Sequence, residues 1–163
     1  MASRHHTFSV LFVEDNNWLI AQVVNDLRIK HSDWLIVCVD GVNEAWTELC
    51  NTDFDLLVFD VMLQNPGNLP PLAEGVILAN WLRKSPEQRY EGKPHGEPAR
   101  ANTSAPILFY THKGKKEVND DIKEYIGLER NDITVLGRLG TGPTLQSAIE
   151  RLARKRGSRD RKA

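Results

Sequence analysis

The sequence predicts an α/β protein with a parallel five-stranded sheet and helices on both faces. Three observations predict it. Short unbroken apolar runs, such as Val10 to Val13 and Leu56 to Phe59, read as strands buried on both sides. Stretches with apolar residues at helical spacing separate these runs, and the alternation occurs five times along the chain. At 163 residues, with 40% hydrophobic and 26% charged residues, the chain suits one globular domain with a full core. Right-handed crossovers follow from the rule for parallel connections.

In chain order, Val10 to Val13 is the first strand. A helix follows, with Leu19, Ile20, Val23, Val24 and Leu27 at helical spacing and Asn16 or Asn17 as its N-cap. Trp34 to Val39 is the second strand, and Val42 to Cys50 a short helix with Ala45, Trp46 and Leu49 inward. Asp55 to Phe59 is the third strand. LQNPGNLPPLAEG, with three prolines and two glycines, is loop for most of its length. The next helix places Val76, Ile77, Leu78, Trp81 and Leu82 inward. Ser85 to Ser104 is almost free of apolar residues and is expected to be a mobile surface insertion. Pro106 to Tyr110, ending at Thr111, is the fourth strand. Lys115 to Ile126 is a helix with Val118, Ile122, Tyr125 and Ile126 on one side. Ile133 to Leu136 is the fifth strand. Thr141 or Gly142 caps the last helix, with Pro143 at its first position and Leu145, Ala148, Ile149 and Leu152 as its buried stripe. Trp18, Trp34, Trp46 and Trp81 are expected to pack in the core or at its rim.

The net charge of −1 conceals a division. Residues 151–163 hold seven Arg or Lys and one Asp, which leaves 14 basic and 21 acidic residues before them. An acidic body thus carries a basic end, and residues 156–163 are expected to be a disordered tail. Such a tail attracts polyanions non-specifically, so no specific nucleic-acid binding is expected. Cys38 and Cys50 lack metal-ligand spacing and sit in apolar runs, where buried thiols are expected. The start, MASRHHTFS, lacks the apolar core of a signal peptide, and no run approaches the roughly 20 apolar residues of a membrane span. A cytoplasmic protein without membrane contact is the expectation.

The candidate site lies where the strands end. The run from Leu56 stops on Asp60, and the run from Val10 stops on Glu14 and Asp15. Ligands of open α/β sheets bind outside the carboxyl ends of the strands, so two parallel strands would bring three carboxylates to one rim. One aspartate at a strand end is commonly a turn former, but three acids in register repel one another unless a cation joins them. All-oxygen donors favour Mg²⁺ or Mn²⁺. A carboxylate beside such an ion can act as a nucleophile toward a phosphoryl group.

VLFVEDN, then DFDLLVFDVML, then PILFYT, in that order, resembles the receiver domain of two-component response regulators. The resemblance covers about residues 8–153. It implies the flavodoxin-like (βα)5 fold with strand order 2-1-3-4-5, and a receiver domain over residues 8–155 with insertions near 64–74 and 85–104. It implies Asp60 as phosphoacceptor, with Asp15 a direct Mg²⁺ ligand and Glu14 acting mainly through water. Met62 matches the position whose backbone carbonyl completes the metal site, and Thr111 matches the hydroxyl that meets the phosphoryl group.

The chain departs from the family at several positions. Where receivers usually carry Lys-Pro after the fifth strand, this sequence has Arg138 and Leu139, and arginine offers a planar fork in place of a point charge. Val135 stands at the usual aromatic switch position, and His112 follows Thr111 where a small residue is common. His112 reads as a surface or space-filling residue. Lys113, Lys115 and Lys116 read as a solvated helix start, the alternative being that one of them reaches the phosphate in place of the missing lysine.

The expected function is phosphorelay signalling by a stand-alone receiver, since only about ten residues follow the last helix. The expected partners are a histidine kinase or histidine phosphotransfer protein and a downstream protein, with a homodimer left open. The alternative is a phosphorylation-independent docking module. An aspartyl-phosphate hydrolase is disfavoured because Met62 occupies the place of its second aspartate, so the protein is expected not to be an enzyme.

Overall fold

The computed structural model describes residues 7–63, 74–112, 114–127, 132–138 and 144–160, without the side chains of residues 17, 19 and 158–160. Five strands, β1 (Phe8–Val13), β2 (Trp34–Val39), β3 (Leu56–Phe59), β4 (Ile107–Thr111) and β5 (Ile133–Gly137), pair in parallel. Their order is β2-β1-β3-β4-β5. The helices are α1 (Asn17–Lys30), α2 (Val42–Asn51), α3 (Glu74–Arg83), α4 (Lys115–Tyr125) and α5 (Leu145–Asp160). This is the flavodoxin-like arrangement, with helices on both faces of the sheet.

Side chains alternate along each strand and so divide the core into two layers. Phe8, Val10, Phe12, Leu56, Val58 and Leu108 pack with Ile20, Val24 and Leu27 of α1 and with Leu145, Ala148 and Ile149 of α5. Leu11, Val13, Leu57, Phe59, Ile107 and Phe109 pack with α2, α3 and α4 through Trp46, Leu49, Trp81, Val118 and Ile122. All four residues of β3 are buried, which is why its sequence shows no alternation. Each large side chain buried this way contributes about 1.5–3 kcal/mol.

Several expectations need correction. Residues 85–104 are not a structureless mobile segment. They form two 3₁₀ turns, Pro86–Gln88 and Arg100–Thr103, fastened by side chains with fixed partners. Asn102 is fully buried: its Oδ1 accepts from the Phe54 N–H (2.8 Å), and its Nδ2 donates to the Leu49 and Thr52 carbonyls (2.8 and 2.7 Å). Arg83 donates to the carbonyls of Asn102, Thr103 and Ala105, and the Trp81 indole N–H donates to the Tyr90 carbonyl (2.8 Å). Polar contacts, invisible to hydropathy patterning, order the segment.

The basic segment is also not disordered from residue 156. Helix α5 continues to Asp160, and Arg156 Nε lies 2.8 Å from Asp55. The start of α5 falls at Leu145, where the Thr144 hydroxyl accepts from the Ser147 N–H (3.2 Å) in the manner of an N-cap. Thr141, Gly142 and Pro143 lie outside the described residues, as do residues 64–73 of the first expected insertion, Lys113, and residues 161–163. Asn16 holds the N-cap position of α1 but makes no side-chain cap bond.

Trp46 and Trp81 are buried and meet edge to face, whereas Trp18 is 85% exposed and belongs to neither core nor rim. Cys38 is exposed on the edge strand β2, and Cys50 is half-buried, so neither is an enclosed thiol. No described helix is long and apolar enough to cross a membrane.

Candidate functional site

Backbone pairing carries the three acids to one rim. The Glu14 N–H donates to the Val39 carbonyl (3.1 Å) as β1 leaves β2, and the Asp60 N–H donates to the Val13 carbonyl (2.9 Å) as β3 leaves β1. Glu14, Asp15 and Asp60 can each present a carboxylate oxygen with all three within 4.8 Å of one another. Glu14 and Asp60 are buried, at 4% and 7% exposure, and Asp15 is half-buried.

Burial sets the electrostatics. Desolvation, reinforced by the Asp60 charge, pushes the Glu14 carboxyl up to about 7, against the lowering influence of Arg138. The Asp60 carboxyl is also pushed up by desolvation, while Arg138 and the Met62 N–H act in the opposite direction. Burial therefore makes it costly to hold both carboxylates ionised at this rim.

Among the described residues, Arg138 is the cation paired with these acids. Its backbone N–H donates to the Thr111 carbonyl (2.9 Å), which fixes the end of β5 against β4. Its guanidinium then folds back over the rim with its side chain 6% exposed. Nη2 donates to Glu14 Oε2, lies 3.4 Å from Asp60 Oδ2, and reaches the Tyr110 carbonyl at 3.4 Å. The guanidinium carbon sits 4.8 Å from the centre of the Tyr110 ring. Nε is buried without a hydrogen-bond partner among the described residues.

The other expected residues are distributed as follows. Thr111 is buried at the end of β4, paired with Gly137 of β5. Met62 directs its backbone N–H to Asp60 Oδ1 (3.2 Å) and leaves its side chain 54% exposed. His112, Lys115 and Lys116 are exposed, and Lys116 pairs with Asp120 (3.0 Å). Val135 is half-buried against the α2–α4 core layer.

Two residues at the site escaped the sequence reading. Glu74, at the start of α3, is buried; desolvation raises its carboxyl, and the charges of Asp15 and Asp60 add to the rise. Gly75 follows it, and a Cβ there would lie 2.1 Å from the Asp60 carbonyl oxygen. The signal available was small: an acid–glycine pair opening the helix after the proline-rich loop.

The donor set fits a hard divalent cation. It is all oxygen and convergent, three carboxylates that a divalent ion would hold ionised together. Glu14, Asp15 and Asp60 would hold it.

No family model and no curated protein matches the sequence. Solved structures do match in shape. The receiver domain of the Francisella response regulator 1452 is 13% identical, with a TM-score of 0.58, covering 91% of this chain and 98% of that one. A CheY-like receiver domain protein from Methanospirillum hungatei is 12% identical, with a TM-score of 0.59, covering 96% and 98%. The chemotaxis response regulator CheY4 of Vibrio cholerae is 18% identical, with a TM-score of 0.58, covering 89% and 98%. The fold of this chain is the receiver fold of response regulators.

Proposed function

We propose that the protein is a receiver module of phosphorelay signalling, in which Asp60 accepts a phosphoryl group from a histidine kinase or histidine phosphotransfer protein. The observation that carries this reading is the meeting of three carboxylates with Arg138 at the carboxyl rim of a receiver-fold sheet. In the transfer, a carboxylate oxygen of Asp60 attacks phosphorus. The phosphorus–nitrogen bond of the donor breaks as the new phosphorus–oxygen bond forms, and the imidazole leaves with the electron pair and takes up a proton. A bound Mg²⁺ would supply charge neutralisation on the transferring oxygens.

The chain's own residues do the rest. The Met62 N–H, on Asp60 Oδ1, orients the carboxylate and leaves the other oxygen facing Arg138. An aspartyl phosphate adds about two negative charges, which the Arg138 fork can meet with paired N–H donors. The Thr111 hydroxyl, buried at the neighbouring strand end, supplies a further donor. Met62 offers no acid–base group for hydrolysis, so the protein acts as an acceptor and not as an enzyme. Its output passes through protein contacts.

The test is incubation with a small phosphoramidate donor and Mg²⁺, followed by intact mass. Wild type should gain one phosphoryl group and Asp60→Asn none. A second reading, a docking module indifferent to phosphate, draws on the contact of Arg138 with Glu14, which already neutralises part of the site. Absence of any mass gain under conditions that label an ordinary receiver would favour it.

A further inference from the structure

We propose that Arg138 is a built-in counter-cation of the acidic rim, which a divalent ion must displace from Glu14 before it can bind. The inference deepens the functional reading and rests on its view of the rim as a divalent-cation site. Its basis is which oxygens the guanidinium occupies. Nη2 is bonded to Glu14 and is 3.4 Å from Asp60, two of the three carboxylates that converge within 4.8 Å. A residue serving only a phosphoryl group would need Asp60 alone. Here the hydrogen bond goes to Glu14, on the other strand, and Asp60 is met by the ion pair.

A guanidinium and a divalent ion on the same carboxylates repel each other strongly at such separations, because little water intervenes to screen them. Occupation by one therefore weakens the other.

The arginine is also built to be moved. Its Nε, in a side chain only 6% exposed, has no hydrogen-bond partner among the described residues, so the present seat leaves one donor unused. Its bond to the Tyr110 carbonyl is long at 3.4 Å. The Tyr110 ring, 4.8 Å from the guanidinium carbon, offers a face that the group can keep while its fork turns away from Glu14. Displacement from Glu14 would free the fork for an anion on Asp60, so cation loading and phosphate capture would be linked through one side chain.

The test is a Mn²⁺ titration of the full chain, with free Mn²⁺ followed by electron paramagnetic resonance. Arg138→Gln removes the competing charge while keeping a polar side chain, and Lys116→Gln makes the same net-charge change at an exposed position on α4. Arg138→Gln should bind Mn²⁺ at least about tenfold more tightly than wild type, and Lys116→Gln should not differ from it. In wild type, the ¹⁵N–¹H signal of the Arg138 Nε–H should shift on saturation with Mg²⁺, a readout independent of any variant's folding. Equal or weaker Mn²⁺ binding by Arg138→Gln, or an Nε–H signal that ignores Mg²⁺, overturns the proposal and leaves the metal site standing. Absence of Mn²⁺ binding in all three proteins overturns the proposal together with the metal half of the functional reading. Phosphate acceptance by Asp60 is judged separately, by mass.

Discussion

Glu14 shows how burial and charge compete at a single residue. Its carboxyl moves from an ordinary 4.5 to about 7, because the loss of solvent and the nearby Asp60 charge outweigh contact with Arg138. The folded state thus holds this proton more tightly than the unfolded chain does. Glu14 favours folding below about pH 4.5, and that contribution is lost as pH rises from there to about 7. The loss is on the order of 3 kcal/mol. Glutamine cannot ionise, so Glu14→Gln should gain stability relative to wild type between pH 5 and pH 8 in the absence of metal. Urea unfolding in EDTA at the two pH values measures it, and a constant difference between the proteins would count against the raised carboxyl. Gly75 gives a prediction of unusual sign. Within a helix Gly→Ala normally stabilises by about 1 kcal/mol. Here the added Cβ meets the Asp60 carbonyl oxygen at 2.1 Å and the Val61 Cα at 3.1 Å, and backbone atoms cannot swing aside. Gly75→Ala should therefore destabilise by about 1–3 kcal/mol in urea unfolding. The acids at the ends of β1 and β3 were legible in the sequence because an apolar run that stops on a carboxylate is a local pattern. Glu74 and the bond from Arg138 to Glu14 were not, since the one follows an irregular loop and the other joins residues far apart in sequence.

At the scale of elements, the strands and helices were legible because each carries a period in hydropathy that burial on the sheet enforces. The segment 85–104 carries none, so hydropathy alone makes it look like a mobile loop. Its order comes from side chains that satisfy backbone groups. The buried Asn102 serves the Phe54 N–H and the carbonyls of Leu49 and Thr52 at the end of α2. Removing it leaves the buried Phe54 N–H without its partner and takes a donor from both carbonyls, of which Leu49 keeps the Ala99 N–H (2.8 Å). Asn102→Ala should cost on the order of 2–4 kcal/mol, whereas Glu91→Ala, at an exposed position, should cost almost nothing. Thermal melts of the two variants distinguish a docked segment from a loose one. A second consequence is resistance of bonds within 85–104 to brief proteolysis in wild type, and its loss in Asn102→Ala.

At the scale of the molecule, the division of charge seen in the sequence becomes a division between the ends of the sheet. The carboxylates gather at the carboxyl rim, while α5 carries its basic residues toward the opposite rim, where Arg156 meets Asp55 just ahead of β3. Asp55 is a junction there. Its Oδ2 accepts from the Ser9 N–H (2.8 Å) and hydroxyl (3.0 Å), tying β3 to β1, and its carbonyl accepts from Arg156 Nη1 (3.2 Å). The end of α5 thus secures the edge of the β1–β3 pair, a role that a composition rich in Arg and Lys gave no reason to expect. Both side chains remain partly in water, at 36% and 27% exposure, so screening limits the contact to about 1 kcal/mol. For a domain of this length that corresponds to a fall of roughly 2–4 °C in melting temperature. Arg156→Ala and a chain ending at Lys155 should show the same fall, in low salt more than in high salt. Lys155→Ala, at an exposed neighbour on the same helix, should melt with wild type. A chain ending at Lys155 that matched wild type would return the segment to the disordered, dispensable tail its composition suggests. A fall much larger than that of Arg156→Ala would mean that the last turn of α5 contributes packing beyond the single ion pair.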